Sequence, residues 1–260
     1  MAQQQAHVGG DTSSHHMAVD LVRSKPKRVL MVVANPAIST NNGWPVGFWA
    51  AELTHAYYEL AGRGVEVTIA SPDGGKVEFD NLSDPRDASK WSAEDLISMG
   101  FIHTPELMAL LENTPKLAEL DYDEFDALLI CGGFSPMFTF PDNIGLQAAV
   151  RTFYEAEKIT GALCHGVSAL VNVKLSSGEY LVSGKTVTGF SNIEEDFSNA
   201  AAGVEVMPWR IEDTLKERGA NYIQAGLFKA FAVRDGRLIT GQQQYSGREV
   251  ARLVIEMLGV

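Results

Sequence analysis

Three stretches of this chain are apolar almost without interruption: "RVLMVVA" (28–34), "FDALLICGG" (125–133) and "ITGALC" (159–164). A strand with one wet face alternates apolar and polar residues. An unbroken, β-branched run belongs to a strand covered on both faces. Between and after these runs lie segments of helical period: "GFWAAELTHAYYELAGRG" (47–64), ended by glycine, "NIGLQAAVRTFYEAEK" (143–158) and "GREVARLVIEML" (247–258). A second strand is read at "VEVTIASPDGG" (65–75), so strand, helix and strand alternate. That order predicts parallel pairing with helices on both sides of a sheet, an α/β three-layer sandwich of flavodoxin-like form.

The remaining segments fit one domain over 27–260, with no internal repeat. Residues 76–120 lack a strong strand. "SAEDLISMG" and "TPELMALLENT" read as short helices with Ser or Thr caps, so this stretch is expected to be a helical insertion or a lid. "HGVSALVNV" should enter a helix directly after the 159–164 strand. "EVMPWRIEDTLKERG" is expected to be helical, and short strands are expected at "KTVTGF" and within "FKAFAVRDGRLITGQ". Residues 1–26 read as a polar disordered tail or a cloning leader, with Met17 a candidate native start. With no apolar face to offset the entropy of ordering, residues 1–22 are expected to be dispensable.

Charge and cysteine usage narrow the partners. The net charge of −12 repels phosphate backbones and anionic lipid, and the short "RSKPKR" at 23–28 is the one basic cluster. Neither nucleic acid nor a membrane is expected as a partner, and no apolar run approaches the ~20 residues of a membrane span. Two cysteines do not make a disulfide framework, and the N-terminus lacks a secretory pattern, which points to a reduced, cytoplasmic protein.

Cys164 stands where the 159–164 strand turns into a helix, in "ALCHGVS". Such an elbow holds a nucleophile at the C-terminal edge of a sheet, with small neighbours, here Ala162 and Gly166, relieving the crowding. The helix N-terminus is expected to lower the thiol pKa. Cys131, inside "LLICGGF", reads as core. No histidine follows His165, so a downstream histidine partner is ruled out; His165, His55 and His103 remain outside the tail, and His165 is adjacent. Glu52 sits in a largely apolar helical stretch, where a carboxyl can stay partly protonated and donate to a thiolate.

The "ALCHG" elbow, the Gly132–Gly133 turn, Glu52 and "GKTVTGFSNIEED" (184–196), with "DGRLITGQ" following, together resemble the DJ-1/PfpI superfamily, in particular its Hsp31-like branch of glyoxalase III, deglycase and chaperone proteins. The resemblance runs from about residue 28 to the C-terminus. It implies Cys164 as nucleophile, His165 as adjacent base or orienting group, Glu52 as the acid touching the sulfur, and Glu195 as the acidic third member, with Glu194 and Asp196 as neighbouring alternatives. It also implies an oxyanion site from Gly133 and the amide of His165. Hsp31-like members often carry a histidine after the two glycines; this chain has Phe134 and Ser135, which makes the pocket more apolar and methylglyoxal a weaker candidate for the natural substrate.

The implied activity is that of a glyoxalase III-like lyase: conversion of a 2-oxoaldehyde to a 2-hydroxy acid with no cofactor and no dedicated metal site, Cys164 adding to the aldehyde and His165 or Glu52 moving the proton. The partner is a small carbonyl compound, and the family form is a homodimer. The alternatives are a stress-response chaperone, a redox sensor in which Cys164 is oxidised, and a PfpI-type peptidase or amidase.

Overall fold

A computed structural model describes residues 25–260. The expectation of a tail over 1–26 therefore falls almost entirely outside the described residues. The centre is a six-stranded sheet: β1 (Arg28–Val32), β2 (Glu66–Ala70), β3 (Ala127–Ile130), β4 (Ile159–Leu163), β5 (Ala232–Asp235) and β6 (Leu238–Gly241). The spatial order is β2-β1-β3-β4-β6-β5. All neighbours pair in parallel except β5 with β6, which form an antiparallel pair at one edge.

The unbroken apolar runs feed two cores. From β1, Leu30 and Val32 point to one face, together with Leu128 and Ile130 of β3. Val29, Met31 and Leu129 point to the other. The first face is covered by a helix at Ile144–Glu155 through Leu146, Ala149, Val150 and Phe153. The second is covered by Ala50–Ala61 and Gly247–Leu258, through Leu53, Ala56 and Leu60 of the former and Val250, Ala251 and Val254 of the latter. In chain order, the α-helices longer than one turn among the described residues are α1 (Ala50–Ala61), α2 (Leu96–Ile102), α3 (Pro105–Glu112), α4 (Ile144–Glu155), α5 (Asn192–Ala202), α6 (Ile211–Glu217) and α7 (Gly247–Leu258). This is a flavodoxin-type α/β sandwich, with a mostly parallel sheet between helical layers.

As expected, a helix starts directly after β4; it is a tight 3₁₀ helix, Cys164–Leu170. Three local expectations are corrected. The cap of α2 is Asp95, which accepts the Ser98 N–H, and Thr104 at the start of α3 makes no side-chain cap bond. The helix expected from residue 205 begins only at Ile211, because Pro208 has no N–H to donate to a preceding turn. The "KTVTGF" strand shrinks to Thr186–Val187, paired with Asn221–Tyr222. Helix α5 was not anticipated. Its start is a capping box in which Ser191 and Glu194 bond reciprocally, a signal that "SNIE" carries in the sequence.

Candidate active site

Cys164 lies at the C-terminal end of β4, in the middle of the sheet. Its φ of 55° is in the left-handed region, which a β-carbon disfavours, so the elbow is a strained turn held by its surroundings. Two glycines let the chain close around it. A β-carbon on Gly166 would lie 2.7 Å from the Cys131 carbonyl, and one on Gly132 would lie 2.7 Å from Gly166 N and 2.8 Å from His165 N. The ends of β3 and β4 thus meet backbone to backbone. Gly132→Ala is expected to cost about 1–3 kcal/mol of stability, read as a lower melting temperature together with altered thiol reactivity of Cys164.

The first helix delivers a carboxyl to the same point. Glu52, in the first turn of α1, is fully buried. Its Oε2 accepts the Gly132 N–H at 2.6 Å. Its Oε1 has no partner within hydrogen-bond geometry, yet the carboxyl is close enough to the Cys164 thiol for the two groups to shift each other's protonation. Burial is the largest effect on Glu52 and pushes its pKa up to about 8. Burial and the neighbouring Glu52 also push the Cys164 thiol well above its ordinary value, against the smaller help of the His165 N–H. This overturns the expectation that the helix N-terminus lowers the thiol pKa. A two-turn 3₁₀ segment supplies too little dipole to outweigh burial beside a carboxyl. At neutral pH the pair is therefore an uncharged thiol beside an uncharged acid, and it loses its first proton as a unit.

His165 meets an acid on its far side. Its Nε2 is 2.9 Å from Glu195 Oε1, both side chains being almost completely buried. With Glu195 ionised, Nε2 carries the proton and donates it, and Nδ1 turns its lone pair toward Cys164 Sγ at 3.9 Å. Among the three candidate acids, only Glu195 makes this contact. Glu194 is committed to Ser191, the Phe228 N–H and Gln242, and Asp196 pairs with Arg210 on the surface. His55 is bonded to Asp95 at 2.8 Å, and His103 caps α2 in an exposed position.

The Gly132–Gly133 turn departs in detail from its expected use. The N–H facing the acid is that of Gly132, spent on Glu52. Gly133 has φ 114°, and a β-carbon there would come within 2.4 Å of Trp49 N, so its freedom serves a close approach to the start of α1. Its own N–H has no hydrogen-bond partner among the described residues. Asp80, which the sequence reading missed, fixes this turn. Its carboxylate accepts the N–H of Gly47 at 2.7 Å and of Phe134 at 2.6 Å. Burial pushes its pKa up to about 7, opposed by those two bonds and by the charge of His165. Asp80 comes from the 76–120 segment, so that segment braces the site. A lone Asp in "EFDNLSD" carries no pattern that could have revealed this.

Above the thiol is a cavity of about 300 Å³. Cys164 and His165 form part of its wall, and Phe134 lines it. Phe190 packs on the His165 ring with centroids 4.3 Å apart. Leu82 and Trp91 reach it from the 76–120 segment, and Phe197, Ala201 and Ala202 from α5. Among the described residues, no three His, Cys, Asp or Glu side chains group as a metal site would require. None of the described helices is long and apolar enough to cross a membrane.

Because Cys164 opens on this cavity and Cys131 is sealed in the core, small alkylating reagents are expected to label Cys164 first, with a rate that climbs as pH rises above neutrality. Peptide mapping after limited iodoacetamide treatment checks this; earlier labelling of Cys131 would contradict the arrangement.

The comparisons with known proteins point one way. The profile of the DJ-1/PfpI family matches residues 46–257. Glyoxalase 3 of Candida albicans is 28% identical over 221 residues, covering 83% of this chain and 91% of its own length. The crystal structure of glyoxalase III from that organism superposes with a TM-score of 0.74 at 25% identity, over 88% of this chain and 96% of that one. The Francisella tularensis Rapid Encystment Protein 24 kDa superposes with a TM-score of 0.81 at 32% identity, over 89% of this chain and 99% of the other.

Proposed function

The chain belongs to the DJ-1/PfpI family, and from that premise we propose that it is a cofactor-independent glyoxalase III-like enzyme converting 2-oxoaldehydes to 2-hydroxy acids. The observation that carries the reading is a thiol at the floor of a cavity, flanked by a buried carboxyl of raised pKa, Glu52, on one side and by His165, hydrogen-bonded to Glu195, on the other.

The roles follow from those settings. His165 Nδ1 takes the thiol proton as Sγ adds to the aldehyde carbon, Glu195 stabilises the imidazolium, and the proton passes on to the new hydroxyl of the hemithioacetal. No net charge is created, which suits a buried apolar site. Glu52, ionised at its raised pKa, is a stronger base than an ordinary glutamate. It removes the C1 proton and returns it at C2 through an enediol. C1 is thereby oxidised and C2 reduced, leaving a thioester. Water cleaves the thioester, releases the 2-hydroxy acid and restores the thiol. The N–H groups of His165 and Gly133 are the candidate donors for the oxyanions along this path.

The test is a panel of glyoxals with 2-hydroxy acid as the readout, wild type beside Cys164→Ser. Holdase activity in the absence of any glyoxal turnover would overturn the reading. The homodimer and the reduced, cytoplasmic setting implied by the family are part of the proposal; analytical ultracentrifugation tests the first.

A further inference from the structure

The cavity says more about the substrate than the thiol does. Its wall, among the described residues, contains no Lys, Arg, Asp or Glu side chain, and its polar side chains besides Cys164 and His165 are Ser198 and Gln244. The rest is apolar and largely aromatic. Phe134 and Trp49 stand together, with centroids 5.9 Å apart. Phe190 and Phe228 form a second group at 6.4 Å, and Phe197 meets Phe228 edge-on at 5.2 Å. Trp91 is 52% and Phe197 42% exposed, so the outer rim presents ring faces to water and gains from being covered. Phe228 itself is held at φ 50°, a conformation that costs energy in a bulky residue. Its N–H is fixed by Glu194 at 2.9 Å, from the helix that also carries Phe197.

Size points the same way. On the liquid-water scale of about 30 Å³ per non-hydrogen atom, the five such atoms of methylglyoxal fill at most about half of the 300 Å³. The remainder would hold water against aromatic walls. The ten of phenylglyoxal fill more of it and set a ring against the aromatic wall. A charged substituent would be desolvated there with no counter-ion.

Resting on the glyoxalase reading above, we propose that this site is built for 2-oxoaldehydes whose ketone carbon bears an uncharged aromatic group, the ring lying among Phe134, Phe190, Phe197 and Phe228 with the aldehyde over Cys164. For phenylglyoxal the chemistry is the balanced one already given: the aldehyde carbon is oxidised, the ketone carbon reduced, one water is consumed and mandelate is released.

The experiment compares phenylglyoxal, 4-carboxyphenylglyoxal and methylglyoxal on the full chain. Because phenylglyoxal also condenses with arginine, hydroxy acid formation is measured by chromatography rather than loss of substrate. A kcat/KM for phenylglyoxal at least ~10-fold above methylglyoxal is expected, the scale on which an apolar pocket discriminates, with the carboxylated ring at least ~10-fold poorer. Ala201→Leu, which adds bulk at the exposed edge of the cavity wall, should collapse the phenyl-to-methyl ratio. In parallel, quenching of tryptophan fluorescence by acetophenone, which lacks the aldehyde, is titrated with Cys164→Ser. Methylglyoxal turned over as well as phenylglyoxal, with a ratio unmoved by Ala201→Leu, would overturn this inference and leave the glyoxalase reading intact. Saturable acetophenone binding with no turnover of any glyoxal would overturn the glyoxalase reading and support the cavity as an aromatic-ligand site. Neither turnover nor saturable binding would overturn both.

Discussion

Cys164→Ser is expected to lower glyoxal turnover by ~10³-fold or more, the scale on which loss of a nucleophile acts, while the chain still folds. Serine keeps the size and the elbow, and Gly132 and Gly166 still allow the close approach of β3 and β4. A hydroxyl beside the same Glu52 and the same His165 is a far weaker nucleophile, because a protonated thiol loses its proton much more readily than an alcohol does. Cys131→Ala supplies the control. Cys131 lies at the end of β3 in the core, with no exposure and no part in the cavity wall, so its loss should lower the melting temperature and leave the chemistry in place. Hydroxy acid production, with melting curves for both variants, separates the two effects. Retained turnover in Cys164→Ser would remove the thiol from the mechanism.

The two cysteines also show why the sequence was readable where it was. The strands announce themselves because burial on both faces demands unbroken apolar runs, and the strand-to-helix turn at Cys164 needs small residues next to a nucleophile. Both are local constraints written in consecutive residues. Glu52 is legible for a related reason, since a lone acid in an otherwise apolar first turn has to be accounted for. What the sequence hid depends on distant segments. Asp80 is separated from Phe134 by 54 positions, and its carboxylate accepts two backbone N–H groups, from Gly47 and Phe134. The reversal of the Cys164 pKa is likewise tertiary, because the thiol's helix-terminal position is visible locally but its burial against a carboxyl from another helix is not. The cavity draws on β-strand ends, the 76–120 segment, α5 and the loop at Phe228, and no one of those segments has an aromatic pattern of its own. Helix α5 is the exception: its start is local, because the capping box of Ser191 and Glu194 is contained in "SNIE".

Glu52→Gln is expected to lower turnover by ~10²-fold or more, the usual scale for a general acid–base group, and to change how both activity and stability depend on pH. On the proposed mechanism, the ionised fraction of Glu52 in the wild-type protein grows with pH, so kcat/KM should rise toward a plateau above about 8. The amide can accept the Gly132 N–H and can donate to sulfur, but it cannot take a proton, so the residual activity should lose that rising limb. Stability runs the opposite way. The folded carboxyl, with its pKa raised to about 8 from an ordinary 4.5, binds its proton more tightly than the unfolded chain does. Its contribution is full below about 4.5 and is lost as pH climbs to about 8, by up to ~1.4 kcal/mol per pH unit in between. Asp80, raised to about 7, acts in the same direction and is present in both proteins, so its own contribution largely cancels, and the difference reports Glu52 together with its coupling to Asp80 and Cys164. Denaturant unfolding at pH 5, 7 and 8.5 should therefore show Glu52→Gln gaining on the wild type as pH rises. Parallel stability curves together with an unchanged pH–rate profile would make Glu52 an ordinary buried residue that bonds the Gly132 turn and takes no part in the proton transfer.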